Sequence, residues 1–262
     1  MDKIIGFIGC GNMAKSMIGG IIKSGIVSPQ NIIASAKHKE TLEEVQHKYS
    51  IVVTEKNKEV AKSADYLILA VNPNTFEDIA GEIKDSLKKN SIVISILAGI
   101  NLHSLKSGLG ANRKVIRAMP NTAVMVGEGM ISLTTDDSFS KEEVNEIKSI
   151  FNSFGKTEVI KEELIDGFTA LCGSSPAYIY MMIEAMADGG VLLGIPRKQA
   201  YTMAAQAVLG AAKMVLETGE HPGKLKDDVC TPGGLTIKSV ASLEENGFRS
   251  SIIEAMEACV EK

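Results

Sequence analysis

The stretch Ile4–Ser24, IIGFIGCGNMAKSMIGGIIKS, constrains the fold more than any other part of the chain. It opens on Ile4-Ile5-Gly6-Phe7-Ile8, an apolar run of the kind that makes a strand buried on both faces. The run breaks at Gly9-Cys10-Gly11-Asn12-Met13-Ala14, and apolar residues then recur at Ala14, Met17, Ile18, Ile21 and Ile22. That three- and four-residue spacing is helical. Strand, glycine turn and helix in this order are the setting of the dinucleotide-binding fingerprint, here with alanine as its third small residue. Gly9 would allow the tight turn, Gly11 would let backbone approach a pyrophosphate, and Ala14 would let the helix pack close on the strand. The free N–H groups at the helix start would then face the phosphates.

Composition narrows the function classes. Lys and Arg number 28 against 32 Asp and Glu, a net charge of −4, which argues against a general nucleic-acid binder. No run of at least 18 apolar residues is present, so no membrane span is expected. Only Met1, Asp2 and Lys3 precede the first strand, too little for a signal peptide. The four cysteines, Cys10, Cys172, Cys230 and Cys259, lack metal or CxxC spacing, and His38, His47, His103 and His221 are scattered. Reduced thiols, a cytoplasmic location and no metal site are the expectations.

Beyond the fingerprint, short apolar runs alternate with amphipathic segments. Strands are expected at Asn31–Ser35, Ile51–Val53, Tyr66–Val71, Ser91–Ile96, Val115–Ala118 and Gly129–Leu133. Helices are expected at Glu40–Tyr49, Thr75–Lys88 and Lys141–Phe154. This alternation implies a mostly parallel sheet covered on both faces. After about Glu162 the strand-like runs stop, and Tyr178–Leu193, Arg197–Glu217 and Gly247–Val260 read as Ala-, Met- and Leu-rich helices. His221-Pro222 reads as a stop after the second of these. Helices apolar on more than one face pack deeply, and a homodimer interlocked through them is the favoured reading. The expected organisation is thus an α/β nucleotide-binding domain over residues 1–160 and an all-α domain for dimerisation and substrate over 161–262.

About 20 residues past the fingerprint, a site for NAD would place an acid on the ribose 2′-OH. The chain has Ala34-Ser35-Ala36-Lys37-His38-Lys39 there instead. Ser35 can bond a 2′-phosphate and Lys37 or Lys39 can neutralise it, which favours NADP over NAD; a solvated basic turn is the plain alternative. In the helical half, Ser175 reads as an N-cap and Pro176 as a first helical residue. Cys230-Thr231-Pro232-Gly233-Gly234-Leu235-Thr236-Ile237 is a glycine turn into a helix over Thr236–Glu245. The N–H groups of Gly234, Leu235 and Thr236 suit a carboxylate, though the turn also reads as purely structural.

Together these motifs carry a resemblance along essentially the whole chain. The segments Gly6–Ala14, Ala70-Val71-Asn72-Pro73, Arg117–Thr122 with Val126–Gly129, Thr169–Tyr178, His221–Asp227 and Thr231–Ile237 resemble the Δ1-pyrroline-5-carboxylate reductase family. The resemblance implies a Rossmann domain followed by an all-α dimerisation domain, often assembled as a ring of dimers. It implies NADP(H) as cofactor, with NAD(H) also admitted, and reduction of pyrroline-5-carboxylate to proline. By position, cofactor contacts fall on Gly9, Cys10, Gly11, Asn12, Met13, Ala14, Ser35, Lys37, Asn57, Ala70, Val71, Asn72, Pro73, Ala98 and Gly99. Substrate contacts fall on Ser175, Gly234, Leu235 and Thr236, and the proton donor on Thr236.

The chain departs from the family pattern at Asn72, commonly Lys; at Cys172 and Ser175, in place of Ser and Gly; and at Thr231, often Ser. These departures touch details of the pocket rather than the reaction. Two rivals remain open: another NADP-dependent imine or β-hydroxyacid oxidoreductase, and a non-catalytic NADP sensor. The hydroxyacid enzymes need a Lys on the first long helix of the second domain, and Tyr178–Leu193 has none. A sensor would have no reason to keep the Thr231–Thr236 turn.

Overall fold

The computed structural model describes residues 2–260; residue 1 of the first expected domain and residues 261 and 262 of the second lie outside the described residues. The chain divides into two compact units, Met1–Phe168 and Thr169–Lys262. The division falls later than the join read from the change in texture. Glu162 explains this: its carboxylate accepts from the Leu102 amide at 2.8 Å and from Arg117 at 3.2 Å, while Ile165 and Phe168 are buried.

The first unit is an eight-stranded sheet in the order β3-β2-β1-β4-β5-β6-β7-β8. Its strands are β1 (Ile5–Ile8), β2 (Ile32–Ser35), β3 (Val52–Thr54), β4 (Tyr66–Leu69), β5 (Ile92–Ser95), β6 (Lys114–Pro120), β7 (Gly129–Thr134) and β8 (Gly155–Val159). All neighbours run parallel except the antiparallel pair β6 and β7. Strands β1, β4 and β5 are buried throughout, as strands covered on both faces must be. Their side chains alternate between two cores. Phe7, Ile68, Ile94 and Ile116 enter one, and Ile8, Leu67, Val93 and Val115 enter the other.

The first core is closed by α1 (Asn12–Ser24), α2 (Lys39–Tyr49) and α6 (Lys141–Phe151), the second by α3 (Asn57–Ser63), α4 (Phe76–Ile83) and α5 (Leu102–Leu109). Gly6 permits the close approach of α3, since a Cβ there would lie 2.7 Å from Ala64 Cβ and Val60 Cγ1. The start of α6 is a capping box, Ser140 bonding the Glu143 amide and Glu143 bonding the Ser140 amide. A short α7 (Ile165–Phe168) ends the unit.

The second unit is entirely helical. It opens with a π-helical run, Thr169–Ser174, followed by α8 (Ser175–Leu192), α9 (Arg197–Thr218), α10 (Pro222–Asp228), α11 (Leu235–Glu245) and α12 (Phe248–Val260). One reading of the sequence is corrected here. Ser175 lies within helical structure rather than capping it, because the π-helical run enters α8 without a break. Pro176 lacks the N–H that would bond back along a π turn, and the Ser175 hydroxyl donates instead to the Leu171 carbonyl at 2.6 Å. His221-Pro222 lies just beyond the end of α9, as read from the sequence, and also starts α10, with His221 Nδ1 accepting from the Gly223 amide at 3.0 Å. Gly219, at φ +68°, ends α9 as a left-handed cap.

Few large side chains are buried within this unit. Leu192 is 89% exposed, Leu193 86% and Leu235 82%, and Tyr180, Met181, Met203 and Ile253 are also exposed. No helix among the described residues is long and apolar enough to cross a membrane.

Candidate functional site

In the first unit the strand order reverses between β1 and β4, both of which begin crossovers from the middle of the sheet. A crevice opens at such a point beyond the carboxyl ends of the strands. Here it is a cleft of about 700 Å³ lined by Gly9, Cys10, Gly11, Ser35, Lys37, Asn57, Val71 and Asn72. At Val71 it shares a wall with a smaller cavity of about 230 Å³. That cavity is lined by Met13, Ala70, Ala98, Arg117, Met119 and Pro120.

The glycine turn builds the centre of the cleft. Gly9 sits at φ +96°, and a Cβ there would come within 2.4 Å of the Ala70 carbonyl oxygen. The Gly9 amide donates to the Ser35 carbonyl at 2.9 Å, tying the end of β1 to the end of β2. Gly11 caps α1 with no side-chain bond, and α1 has no acid in its first turn, so its first N–H groups are left to a ligand. A Cβ on Gly11 would meet nothing within 4 Å. One glycine is thus required by the protein, and the other leaves open space before a helix N-terminus. These features fit a pyrophosphate.

Not every residue expected at the cofactor lines these cavities. Ala14 is wholly buried under the helix. Asn12 faces a separate cleft of about 930 Å³ between α1, α2 and the 124–128 segment. Pro73 starts a single 3₁₀ turn, and Gly99, at φ +78°, shapes the turn after β5. Asn72, where a Lys is usual, caps that 3₁₀ turn by accepting from the Asn74 amide at 3.0 Å. Cys10 is buried, and burial pushes its thiol up to about 11 against a smaller downward pull from Lys15.

At the end of β2 stands Ser35 rather than an acid, while Glu55 and Glu82 line the same cleft from the loop after β3 and from α4. Lys39 pairs with Glu55 at 3.4 Å, while Lys37 makes no ion pair among the described residues. The Ser35 hydroxyl, fully buried, donates to Asn57 Oδ1 at 2.8 Å, and Asn57 Nδ2 donates to Glu82 at 2.8 Å. Glu82, Thr41 and Ile79 line the cleft as well, outside the residues the sequence motifs mark. They lie on the exposed or cleft-facing sides of α2 and α4, where no motif marks them.

In the second unit the Thr231–Gly234 turn closes through the Gly234 amide, which donates to the Thr231 carbonyl at 2.9 Å. Gly233 lies at φ +71°, and Gly234 caps α11 with no side-chain bond. The helix starts at Leu235, one residue earlier than expected, so Leu235 and Thr236 are its first two residues. Their amides precede any intrahelical partner. Among the described residues no three His, Cys, Asp or Glu side chains group as a metal site.

A doubly wound sheet with a glycine-turn cleft at its switch point, followed by an all-helical unit, defines a nicotinamide-dinucleotide-dependent oxidoreductase. Comparison with known proteins narrows the class. Residues 162–262 match the family model for pyrroline-5-carboxylate reductase dimerisation, and residues 4–99 match the model for NADP oxidoreductase, coenzyme F420-dependent. The pyrroline-5-carboxylate reductase of Escherichia coli (strain K12) is 50% identical over 262 residues, covering 100% of this chain and 97% of that protein. That of Arabidopsis thaliana is 40% identical over 98% of this chain and 93% of that protein. Among solved structures, the Coxiella burnetii reductase superposes with a TM-score of 0.95 at 33% identity, covering 99% of this chain and 97% of that one. The Plasmodium falciparum reductase with NADP bound gives 0.84 at 30% identity over 99% and 96%. The chain belongs to the pyrroline-5-carboxylate reductase family.

Proposed function

We propose that this protein reduces 1-pyrroline-5-carboxylate to proline with NADPH, and with NADH as a second donor. The observation that carries the reading is the pair of adjoining cavities at the sheet's switch point, with Ser35 and Lys37 at one end and Ala98 and Met119 at the other. A cofactor laid along them would rest its pyrophosphate on the N-terminus of α1 and its adenosine phosphate beside Ser35 and Lys37. The bound nicotinamide supplies hydride to the imine carbon. A protonated cyclic imine accepts hydride without a metal, so the chain's task is orientation, which contributes several kcal/mol in well-aligned reactions.

The substrate is held from the second unit. The amides of Gly234, Leu235 and Thr236 grip its carboxylate at the start of α11, and Ser175 adds a contact from α8. The Thr236 hydroxyl bonds the ring nitrogen and relays its proton. A hydroxyl is a weak acid, so positioning outweighs acid strength in this role. What supports the assignment is the uncapped start of α11 and the motif match at Thr231–Ile237. The protein works as a homo-oligomer: a dimer through the C-terminal helices, assembled further into a ring of dimers. We place it in the cytoplasm, in keeping with four cysteines that show no CxxC or metal spacing.

Oxidation of NADPH and of NADH is followed at the nicotinamide absorbance with and without pyrroline-5-carboxylate. Rapid oxidation only with the imine is expected, and Thr236→Ala is expected to lower kcat far more than NADPH affinity. Folded protein that binds NADPH yet stays silent with the imine would overturn the reading.

A further inference from the structure

Ser35, Thr41 and Thr75 are the hydroxyl-bearing residues that line the cleft, and two of them have committed their proton inside the protein. Ser35 is fully buried and donates to Asn57 Oδ1 at 2.8 Å, so it has no donor left for a phosphate. The Thr75 hydroxyl donates to the Asn72 carbonyl at 2.7 Å. Threonines within helices often return their proton to the carbonyl four residues back, as Thr202 does to Lys198 at 3.3 Å and Thr218 to Met214 at 2.7 Å. Thr41 is the third residue of α2, so the residue four before it is Lys37, ahead of the helix. Its hydroxyl makes no hydrogen bond among the described residues, and Thr41 is only half-buried at the cleft wall. The acids of the cleft are engaged: Glu82 accepts from Asn57 at 2.8 Å and Glu55 pairs with Lys39 at 3.4 Å. A free hydroxyl and the exposed Lys37 thus stand together where β2 turns into α2.

We propose that Thr41 is a specificity-determining residue whose hydroxyl donates to the 2′-phosphate of the cofactor beside Lys37. The proposal rests on the reading of this cleft as the adenosine end of the dinucleotide site. The two side chains divide the task. Lys37 supplies a charge that acts at a distance and is screened by salt. Thr41 supplies a directional bond from a residue that the helix holds in place, and a hydrogen bond to an ionised phosphate is stronger than one to a neutral ribose hydroxyl. Ser35 belongs to the scaffold instead: through Asn57 it ties the end of β2 to the start of α3.

The test is calorimetric titration of the full-length protein with adenosine 2′,5′-bisphosphate and with 5′-AMP. Thr41→Val keeps the shape and removes the hydroxyl. It is expected to weaken the bisphosphate at least about tenfold, the worth of a hydrogen bond to a charged group, and to leave 5′-AMP unchanged. Thr41→Ser, which keeps the hydroxyl, should retain most of the wild-type affinity for the bisphosphate. The loss in Thr41→Val should persist at about 0.5 M salt, whereas the loss in Lys37→Gln should shrink there. An unchanged bisphosphate affinity in Thr41→Val, an equal loss for both ligands, or an equal loss in Thr41→Ser would each overturn the assignment; a defect in α2 itself would weaken both ligands alike. In all of those outcomes the wild type still binds both ligands in competition with NADPH. Binding of neither ligand to wild type would instead remove the dinucleotide reading of the cleft, and the proposal with it.

Discussion

The two glycines of the turn should fail in opposite ways when each is given a methyl group. At Gly9 the backbone holds φ +96°, and a Cβ would approach the Ala70 carbonyl oxygen to 2.4 Å. The left-handed conformation costs an L-residue about 1–2 kcal/mol, and forcing a methyl into packed structure about 1–3 more. Gly9→Ala should therefore lose about 2–5 kcal/mol, lowering Tm by about 4–20 °C for a domain of this size. At Gly11, φ is −72° and a Cβ would meet nothing within 4 Å. There the entropy gained from removing a glycine, about 0.4–1 kcal/mol, roughly offsets the poorer capping by alanine. Gly11→Ala should keep its Tm within a few degrees. Its methyl occupies the space left for the pyrophosphate, and losing one charged hydrogen bond costs about 1.5–3 kcal/mol, so NADPH should bind at least about tenfold more weakly. Thermal melts without ligand and fluorescence titration with NADPH, at one protein concentration, read both effects. Wild-type NADPH affinity in Gly11→Ala, or an unchanged melt in Gly9→Ala, would refute the division of labour.

Thr157 is 5% exposed on β8, and its hydroxyl has no partner among the described residues. Replacing a stranded buried hydroxyl by methyl removes a desolvation cost, so Thr157→Val should stabilise by about 1 kcal/mol, and a lower Tm would count against the reading. Cys10, held protonated by burial to about 11 against an ordinary 9.0, should resist iodoacetamide in the native protein at pH 8 and react after urea unfolding, as peptide mass spectrometry would show. Because the folded thiol keeps its proton to higher pH than the unfolded one, this group's contribution to stability is intact below pH 9 and lost as pH rises toward 11. The exposed apolar helices make Tm depend on protein concentration, rising as the oligomer is driven together; a concentration-independent melt would speak for a self-sufficient helical unit.

The central strands were legible because burial on both faces leaves an unbroken apolar run, as at Ile5–Ile8 and Ile92–Ser95. Helix α5 escaped despite its Leu102, Leu105 and Leu109 stripe, whereas two other missed elements were marginal by the same physics. In α3 only Val60 and Ala61 are buried, and in β8 only Thr157, so neither carries a periodic apolar stripe. The expected strand Tyr66–Val71 overran its true end at Leu69 for an instructive reason. Ala70 and Val71 are apolar, but they leave the sheet to wall the two cavities. Function borrowed residues that read as core. The site divides in the same way: Gly9, Gly11 and Ser35 announce themselves within one strand–turn–helix–strand unit. Glu82 stands on a later helix, and only folding brings it to Asn57.

The helical half shows why composition can indicate association before any contact is known. An amphipathic helix in a monomer hides one stripe and wets the rest. Helices α8 and α9 have no such contrast: between them only Ala187, Ala200 and Ala204 are buried within the unit, all of them small. The large side chains, Tyr180, Met181, Leu192, Met203 and Leu209 among them, remain at the surface of the single chain. Close helix–helix contact through alanine and burial of larger groups elsewhere is a division of faces that one chain cannot complete. A groove of about 700 Å³ lined by Met181, Met182, Met186, Leu243, Phe248 and Ile252 lies within this same unit. Exposed apolar surface on this scale is a standing cost in water that a second copy removes. The stability of the helical unit and the assembly of the oligomer are therefore one free-energy change. A substitution such as Leu192→Asp would be read as both a lower melting temperature and a smaller particle.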